Sequence, residues 1–162
     1  AAQFDQLLKD HRDQLKPEVV WNVEKGQALT AAEINKAEMA RGALYNRTTA
    51  FFETYDLLLS PAVLVPPFDI NERYVAEAGG CKFDNYVSWL VMSFALTLTA
   101  CPSISVPCGF TSSGLPVGLQ ITAPRAAEAA LLSAAALLER ELCVKPNMPI
   151  DPVVRHNMSA VS

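Results

Sequence analysis

The stretch Cys101-Pro102-Ser103-Ile104-Ser105-Val106-Pro107-Cys108-Gly109-Phe110-Thr111-Ser112-Ser113-Gly114-Leu115-Pro116-Val117-Gly118-Leu119-Gln120-Ile121-Thr122 decides the fold. Ser103–Phe110 reads as one β-strand and Leu115–Thr122 as a second. Between them Thr111-Ser112-Ser113-Gly114 is predicted to turn as a hairpin, with Gly114 at the positive-φ position. Pro102 and Pro107 bracket the first strand, which they should make the chain enter and leave sharply. Gly118 permits a close approach of backbone or helix to the second. The stretch lies inside a run of forty residues, Asn85 to Pro124, that carries no charge. Such a run is either a membrane segment or the centre of a core. A spanning helix needs about 18 consecutive apolar residues. Here Ser88, Ser93, Thr97 and Thr99 interrupt the run, and Pro102, Pro107 and Gly109 break it, so no membrane span is expected. Strands covered on both faces lose their polar alternation. That much covering material exceeds what the rest of this chain offers, so part of it is expected in a partner or a missing segment.

Working outward, Glu128–Leu142 forms an Ala/Leu-rich helix with Leu131, Leu132, Ala135, Leu138 and Leu142 on one side. On the other flank, Phe83 to Leu98 is expected to be an apolar helix closed by Pro102. Its stripe is Tyr86, Trp89, Leu90, Ser93, Phe94 and Thr97. Residues 61–80 are Pro-rich and then Gly-rich and read as a loop, with Gly79-Gly80 as a flexible point. Leu57-Leu58-Leu59 is a short strand that should stop at Ser60-Pro61, because proline cannot donate to a ladder. Residues 1–54 are helical. Residues 2–15 carry Phe4, Leu7, Leu8, His11 and Leu15 at helical spacing. A second helix starts at Pro17 with Val19, Val20, Trp21 and Val23, and Gly26 should end it. Thr30 and Glu33 form a capping box, and a long helix follows to about Glu53. Its expected inward residues are Ile34, Ala37, Ala40, Leu44, Tyr45, Thr48, Phe51 and Phe52. The tail, 143–162, is Pro-rich and expected to be extended.

The chain has 162 residues, a length that suits one domain. With 51% hydrophobic residues and 19% charged it is not disordered. Thirteen Lys/Arg against seventeen Asp/Glu leave a net charge of −4, which argues against a nucleic-acid surface. No basic region followed by an apolar stretch marks a signal peptide. The first residue is Ala1 rather than Met, which suggests a processed or truncated product. Cys81, Cys101, Cys108 and Cys143 contain no CxxC pair and no zinc spacing. They read as buried thiols of a reducing cytosol, so a cytoplasmic protein without cofactor is expected.

Residue chemistry alone yields no active site. There is no GxSxG and no SxxK motif, and no phosphate-binding glycine motif follows Gly79-Gly80. His11 and His156 lie near the chain ends, away from any orienting partner. Cys108 has no His or Lys in its local sequence to lower its pKa. Asp69 and Glu72 sit in a loop without the further ligands a metal needs.

Five segments resemble the amidase signature family. Tyr55-Asp56-Leu57-Leu58-Leu59-Ser60-Pro61-Ala62 is similar to its strand YDLLLTPT. Cys101 to Phe110 is similar to GxPAISVPCGF, and Gly114 to Thr122 to GLPVGLQIIG. Glu128 through Glu139 is similar to its closing helix. Lys25, Gly26, Leu29, Thr30, Ala37 and Arg41 fit the helix that precedes them all. The match spans roughly residues 15–142, with its pieces in order. The resemblance implies an α/β fold, part of the mixed β-sheet of that family covered by helices. It also implies a hydrolase of carboxylic amides that uses a Ser–Ser–Lys triad, in which backbone N–H groups hold the oxyanion. The Gly/Ser-rich signature with those residues lies upstream of everything matched, so no catalytic residue is assigned in this chain. Two positions depart from the family pattern. Thr97 and Ala100 stand where it has Asn and Gly, and Ala100 is expected to take an ordinary φ. Leu90 stands where glutamine-hydrolysing members carry an acid. With Trp89 it would form an apolar wall that cannot pair with the amino group of glutamine, so Trp89 and Leu90 are the candidate substrate-binding residues. Both also suit a plain core. The whole chain, 1–162, is thus expected to be a C-terminal amidase segment, inactive alone. Its expected partners are the missing N-terminal catalytic portion, a small-molecule amide and, through exposed apolar surface, itself. A non-enzymatic binding module of the same fold and an accessory subunit that completes a site in trans are the competing readings.

Overall fold

The computed structural model describes residues 4–144. The N-terminal third is helical, with α1 at Asp5–His11, α2 at Pro17–Ala28 and α3 at Ala31–Phe52. Then come β1 (Leu58–Pro61), the short β2 (Glu77–Ala78) and β3 (Cys81–Lys82), α4 (Val91–Thr97), β4 (Ser103–Phe110), β5 (Pro116–Thr122) and α5 (Glu128–Leu142). Strands β1, β5 and β4 make one antiparallel sheet with β5 in the centre, and β2 pairs with β3 in a separate hairpin. The α/β class read from the sequence is the one observed, and each described pairing is antiparallel. The expected start of the first helix at residue 2 and the tail from 145 on lie outside the described residues.

The β4–β5 hairpin follows its local signals. Gly114 has φ +83, its N–H donates to the Thr111 carbonyl at 2.9 Å, and Thr111 N–H donates to the Leu115 carbonyl at 2.8 Å. Strand β4 has the bounds read from the sequence, so Pro107 lies inside it rather than closing it. The strand runs on through a bulge at Cys108, between the pairs Pro107–Gly118 and Gly109–Val117. A bulge on an edge strand is where a proline fits, since its absent donor leaves no ladder bond unmade. Pro61 likewise sits within β1, opposite Leu119. Ala62 N–H donates to the Gly118 carbonyl at 3.0 Å, so by alternation the Pro61 nitrogen faces the open edge.

The core lies on one face of this sheet. Val106, Ile121 and Ala123 are buried with Leu131 and Ala135 of α5, and Leu57, Ile104, Leu119, Ala127 and Leu138 pack around them. Leu132 and Leu142, expected on the same side, remain exposed. On the face turned away from α5, Thr122 is buried while Ser105 is exposed, so among the described residues the expected cover there is partial. On the far face Gly118 fits because its neighbours crowd it. A Cβ there would stand 2.9 Å from Ser105 Oγ and 3.1 Å from Ala62 Cβ.

The helices differ from expectation at their ends and in their burial. Gly26 does not end α2. The helix continues to Ala28, and Leu29 takes an extended backbone (φ −64°, ψ 133°). Gly26 is therefore an interior helical residue, allowed because Thr30 supplies the next start. In α1 Leu8 is buried while Phe4 and Leu7 are exposed. Gly79 and Gly80 form the two-residue turn of the β2–β3 hairpin, with φ +57 and +78. Two positive φ values in succession are what such a turn demands. The apolar helix expected from Phe83 begins only at Ser88, as a 3-10 turn (Ser88–Leu90) leading into α4. Asn85 Oδ1 accepts from Val87 N–H at 3.0 Å and Ser88 N–H at 3.2 Å, and it caps that start. Helix α4 stops at Thr97, five residues before Pro102. The four cysteines are free, but none is buried. Cys81 and Cys143 are exposed, and Cys101 and Cys108 are half-buried.

Helix α3 matches its expected bounds to one residue, yet no residue of it is buried. Ile34 and Met39 face solvent. Leu44, Tyr45, Thr48, Phe51 and Phe52 are half-buried, so only the C-terminal turns meet the rest of the chain. The N-terminus is held locally. Thr30 Oγ1 accepts from Glu33 N–H at 3.2 Å, and Glu33 Oε2 accepts from Thr30 N–H at 2.8 Å. The Thr30 backbone N–H, followed by its hydroxyl, holds the Glu33 carboxyl below its ordinary value of 4.5. A depressed carboxyl stabilises the fold above its unfolded pKa and ceases to do so as pH falls through the folded one. Amide-exchange protection of the first turn of α3 should therefore be full at neutral pH and fall only in acid below about pH 4.5. Thr30→Ala should lower that protection at neutral pH and flatten its pH dependence. Protection independent of pH in the unmodified chain would show that the box contributes nothing.

Candidate functional site

Trp89 and Leu90 sit on the 3-10 turn Ser88–Leu90 and are both half-buried. The turn is fixed from below by Asn85 and closed by Leu90 N–H donating to the Val87 carbonyl at 3.0 Å. Trp89 meets Phe68 edge to face, with ring centres 5.6 Å apart and planes at 87°. Phe68 comes from the Pro-rich segment and was not singled out in the sequence. An aromatic residue flanked by Pro66-Pro67 was the available signal. The structure thus sets Phe68 against Trp89, with Leu90 next along the same turn. Phe68 is exposed, and Trp89 and Leu90 are half-buried.

The remaining candidates disperse. His11 lies exposed in the last turn of α1, and His156 lies outside the described residues. The Cys108 thiol donates to the Val117 carbonyl at 3.4 Å within the bulge. Asp69 Oδ1 accepts from Asn71 N–H at 2.7 Å and Asn71 Nδ2 at 2.8 Å, an Asx turn on the loop. Among the described residues no group of three His, Cys, Asp or Glu is placed to hold a metal. Ser103 shares its hydroxyl proton with Thr122, Ser113 shares with Thr111, and Ser133 donates to the Ala129 carbonyl. Among the described residues no serine is hydrogen-bonded to a lysine or histidine.

The sheet face turned away from α5 carries a polar row. Ser60 of β1, Gln120 of β5 and Ser105 of β4 stand directly opposite one another. Ser60 Oγ and Gln120 Oε1 are shielded from solvent and have no hydrogen-bond partner. Shielded acceptors without donors are costly to leave so. Beside this row Ala62, Ser105, Pro107 and Gly118 border an open cavity of ≈340 Å³.

With this geometry in place, comparison with known proteins gives the class. A model of the Amidase family matches residues 2–132, and the chain belongs to that family. It is similar to the acylamidase of Rhodococcus erythropolis, 28% identical over 95% of this chain and 32% of that protein. It is also similar to a glutamyl-tRNA(Gln) amidotransferase component from Alkaliphilus metalliredigens, 37% identical over 60% of this chain and 19% of that one. The crystal structure of a bacterial aryl acylamidase, an amidase signature enzyme, superposes with a TM-score of 0.71 at 23% identity. That likeness covers 82% of this chain and 28% of the other, and it speaks to the fold. The chain therefore spans about a third or less of the length of these relatives. Among the described residues no helix is long and apolar enough to cross a membrane.

The link from α4 to β4 corrects one expectation. Ala100 has φ +57, the left-handed conformation that glycine adopts freely, and not an ordinary one. The residues beside it explain why. Thr99 is only 1% exposed, and its hydroxyl donates to the Leu96 carbonyl at 2.6 Å. The same oxygen accepts from Cys101 N–H at 3.4 Å. These bonds fix the turn and leave Ala100 to absorb the strain, which for a residue with a Cβ is about 1 kcal/mol. Ala100→Gly should raise the stability of the chain by roughly 1 kcal/mol, read as a higher urea midpoint. The same change at the exposed helical Ala129 should lower it by about as much. A lower midpoint for Ala100→Gly would show that the left-handed turn is not strained.

Proposed function

We propose that this chain is the C-terminal part of an amidase that hydrolyses carboxylic amide C–N bonds, with its Ser–Ser–Lys catalytic residues outside the chain. The observation that carries this reading is the polar row on the open sheet face. The orphaned acceptors Ser60 Oγ and Gln120 Oε1 call for a covering segment that brings N–H or O–H donors. The match to an amidase model in a chain about a third of the length of an acylamidase supports the same view. In this reading a serine of the upstream portion attacks the amide carbonyl, and backbone N–H groups hold the resulting oxyanion. The amine departs, and water then releases the acyl group. The present chain contributes sheet strands, their covering helix and one wall of the substrate pocket, formed by Trp89, Leu90 and Phe68. An apolar wall leaves the amino group of glutamine without a partner, so an aryl or other apolar amide is the favoured substrate. No cofactor enters these steps, and a cytoplasmic location suits the free thiols.

The exposure of α3, including Ile34 and Met39, favours a second reading, an accessory or binding module of the amidase fold that associates through that surface.

The first measurement is the intact mass of the purified material, with a search for a second polypeptide under denaturing conditions. The expected result is a chain of 17.6 kDa with no amidase activity alone. Activity on anilides should appear when the upstream catalytic portion is co-expressed. Amide hydrolysis by the single chain, or no activity with the upstream portion bound, would overturn the proposal. In the complete enzyme Trp89→Ala should lower kcat/KM for aryl amides relative to short aliphatic amides by about tenfold or more. Loss of stability with an unchanged preference would make Trp89 structural.

A further inference from the structure

Away from the sheet, α2 and the segment from Tyr74 to Tyr86 meet around a cavity of ≈190 Å³. Three aromatic rings line it, Trp21, Tyr74 and Tyr86, with the carboxylates of Glu18 and Asp84 and the amide of Asn85. Trp21 and Tyr86 stand with ring centres 5.9 Å apart and planes at 80°, so they form two walls of a corner. All three rings are half-buried, held in place yet open to a ligand.

The frame around the corner is braced. An ion pair between Glu18 and Arg73 ties the first turn of α2 to the segment that carries Tyr74. Asn85 Oδ1 is engaged with the N–H groups of Val87 and Ser88 and keeps the turn after Tyr86 in place. These contacts also set the charge of the site. Arg73 compensates Glu18, whereas Asp84 makes no ion pair among the described residues. The indole already attracts a cation from outside the lining, since the Lys25 ammonium lies 4.8 Å from its ring centre.

From this arrangement we infer that the cavity is a binding site for a small alkylated ammonium ion of the choline type. Aromatic faces attract cations through their quadrupole, most strongly where the ion is weakly hydrated. N-methyl groups add apolar contact with the three rings, and Asp84 balances the charge. An anion would meet two carboxylates. A primary ammonium could pair with Asp84, but it is more strongly hydrated and brings less apolar surface to the three rings. This inference is independent of the hydrolytic reading, because none of the lining residues takes part in the pocket wall assigned to Trp89.

The test uses the chain as it is. The protein has two tryptophans, so a nitrogen–proton correlation spectrum shows two indole signals, assignable with Trp21→Phe. Titration with choline should move the Trp21 signal saturably and leave that of Trp89 in place. The neutral carbon isostere 3,3-dimethylbutan-1-ol and methylammonium should bind about tenfold or more weakly. Asp84→Asn should weaken choline binding several-fold, and Tyr86→Leu about tenfold. Tyr86→Phe should retain binding, which separates loss of the ring from loss of the fold. An unmoved Trp21 signal, equal binding of the neutral isostere, or full affinity in Asp84→Asn would each overturn the inference.

Discussion

The pairing of β4 with β5, seated by one face on α5, is the contact on which the described structure depends. Both strands turn Ile104, Val106, Leu119 and Ile121 toward the helix, and Leu131 and Ala135 fill the space between. β5 is central, so β1 reaches the core only by pairing with it. The link through Thr99 and Ala100 delivers α4 to the start of β4. If the hairpin were lost, β1, α4 and α5 would have no common surface. The helices α1 to α3 would keep exposed pairs such as Lys9–Asp5 and Arg12–Glu24, which contribute little, and the contacts of α2 with Arg73 and Tyr86.

The two faces of the sheet differ in kind. Toward α5 the side chains are branched and apolar, and the face excludes water by itself. The other face is built of Ser60, Ser105, Gly118 and Gln120, small or amide-bearing residues that leave acceptors unmatched. A solvent-facing strand would carry long charged side chains instead, as natural edges and faces do. The uncharged run from Asn85 to Pro124 has its explanation here. Its buried residues, Thr99, Val106, Ile121, Thr122 and Ala123, leave no room for a charge.

Most of the fold was legible wherever the determining interaction is local. The Thr30–Glu33 box, the Thr111–Gly114 turn and the bounds of β4 and α5 depend on residues within a few positions of each other. What was not legible depends on position in the sheet or on distant contacts. Pro61 looked like a stop because the sequence does not say that β1 lies at an edge of the described sheet, where a missing N–H costs no ladder bond. Gly26 looked like a helix end because nothing at its own position reveals that Thr30 starts the next helix. Ala100 looked ordinary because its left-handed φ is imposed by the hydrogen bonds of Thr99. At the candidate site Trp89 and Leu90 could be named in advance, whereas Phe68 required the fold of the Pro-rich segment.

Helix α3 shows how far local signals carry a structure without tertiary support. It has a complete capping box, a backbone-bonded Thr48 and Thr49, and an i,i+3 pair between Glu38 and Arg41, yet no buried residue. Such contributions are each small, and most helical stability in proteins comes from packing of an apolar face. A helix of 22 residues held only by its own end and its last turns is therefore under-supported for its length. The half-buried Tyr45, Thr48 and Phe52 border a cavity with Thr99, Cys101 and Pro124, so the helix is anchored beside the same link that carries strain at Ala100. Cover placed over α3 and over the polar sheet face would load both sides of that link at once. On the proposed reading, the strain at Ala100 and the orphaned acceptors of the sheet would belong to one condition, a scaffold that awaits packing from the upstream portion.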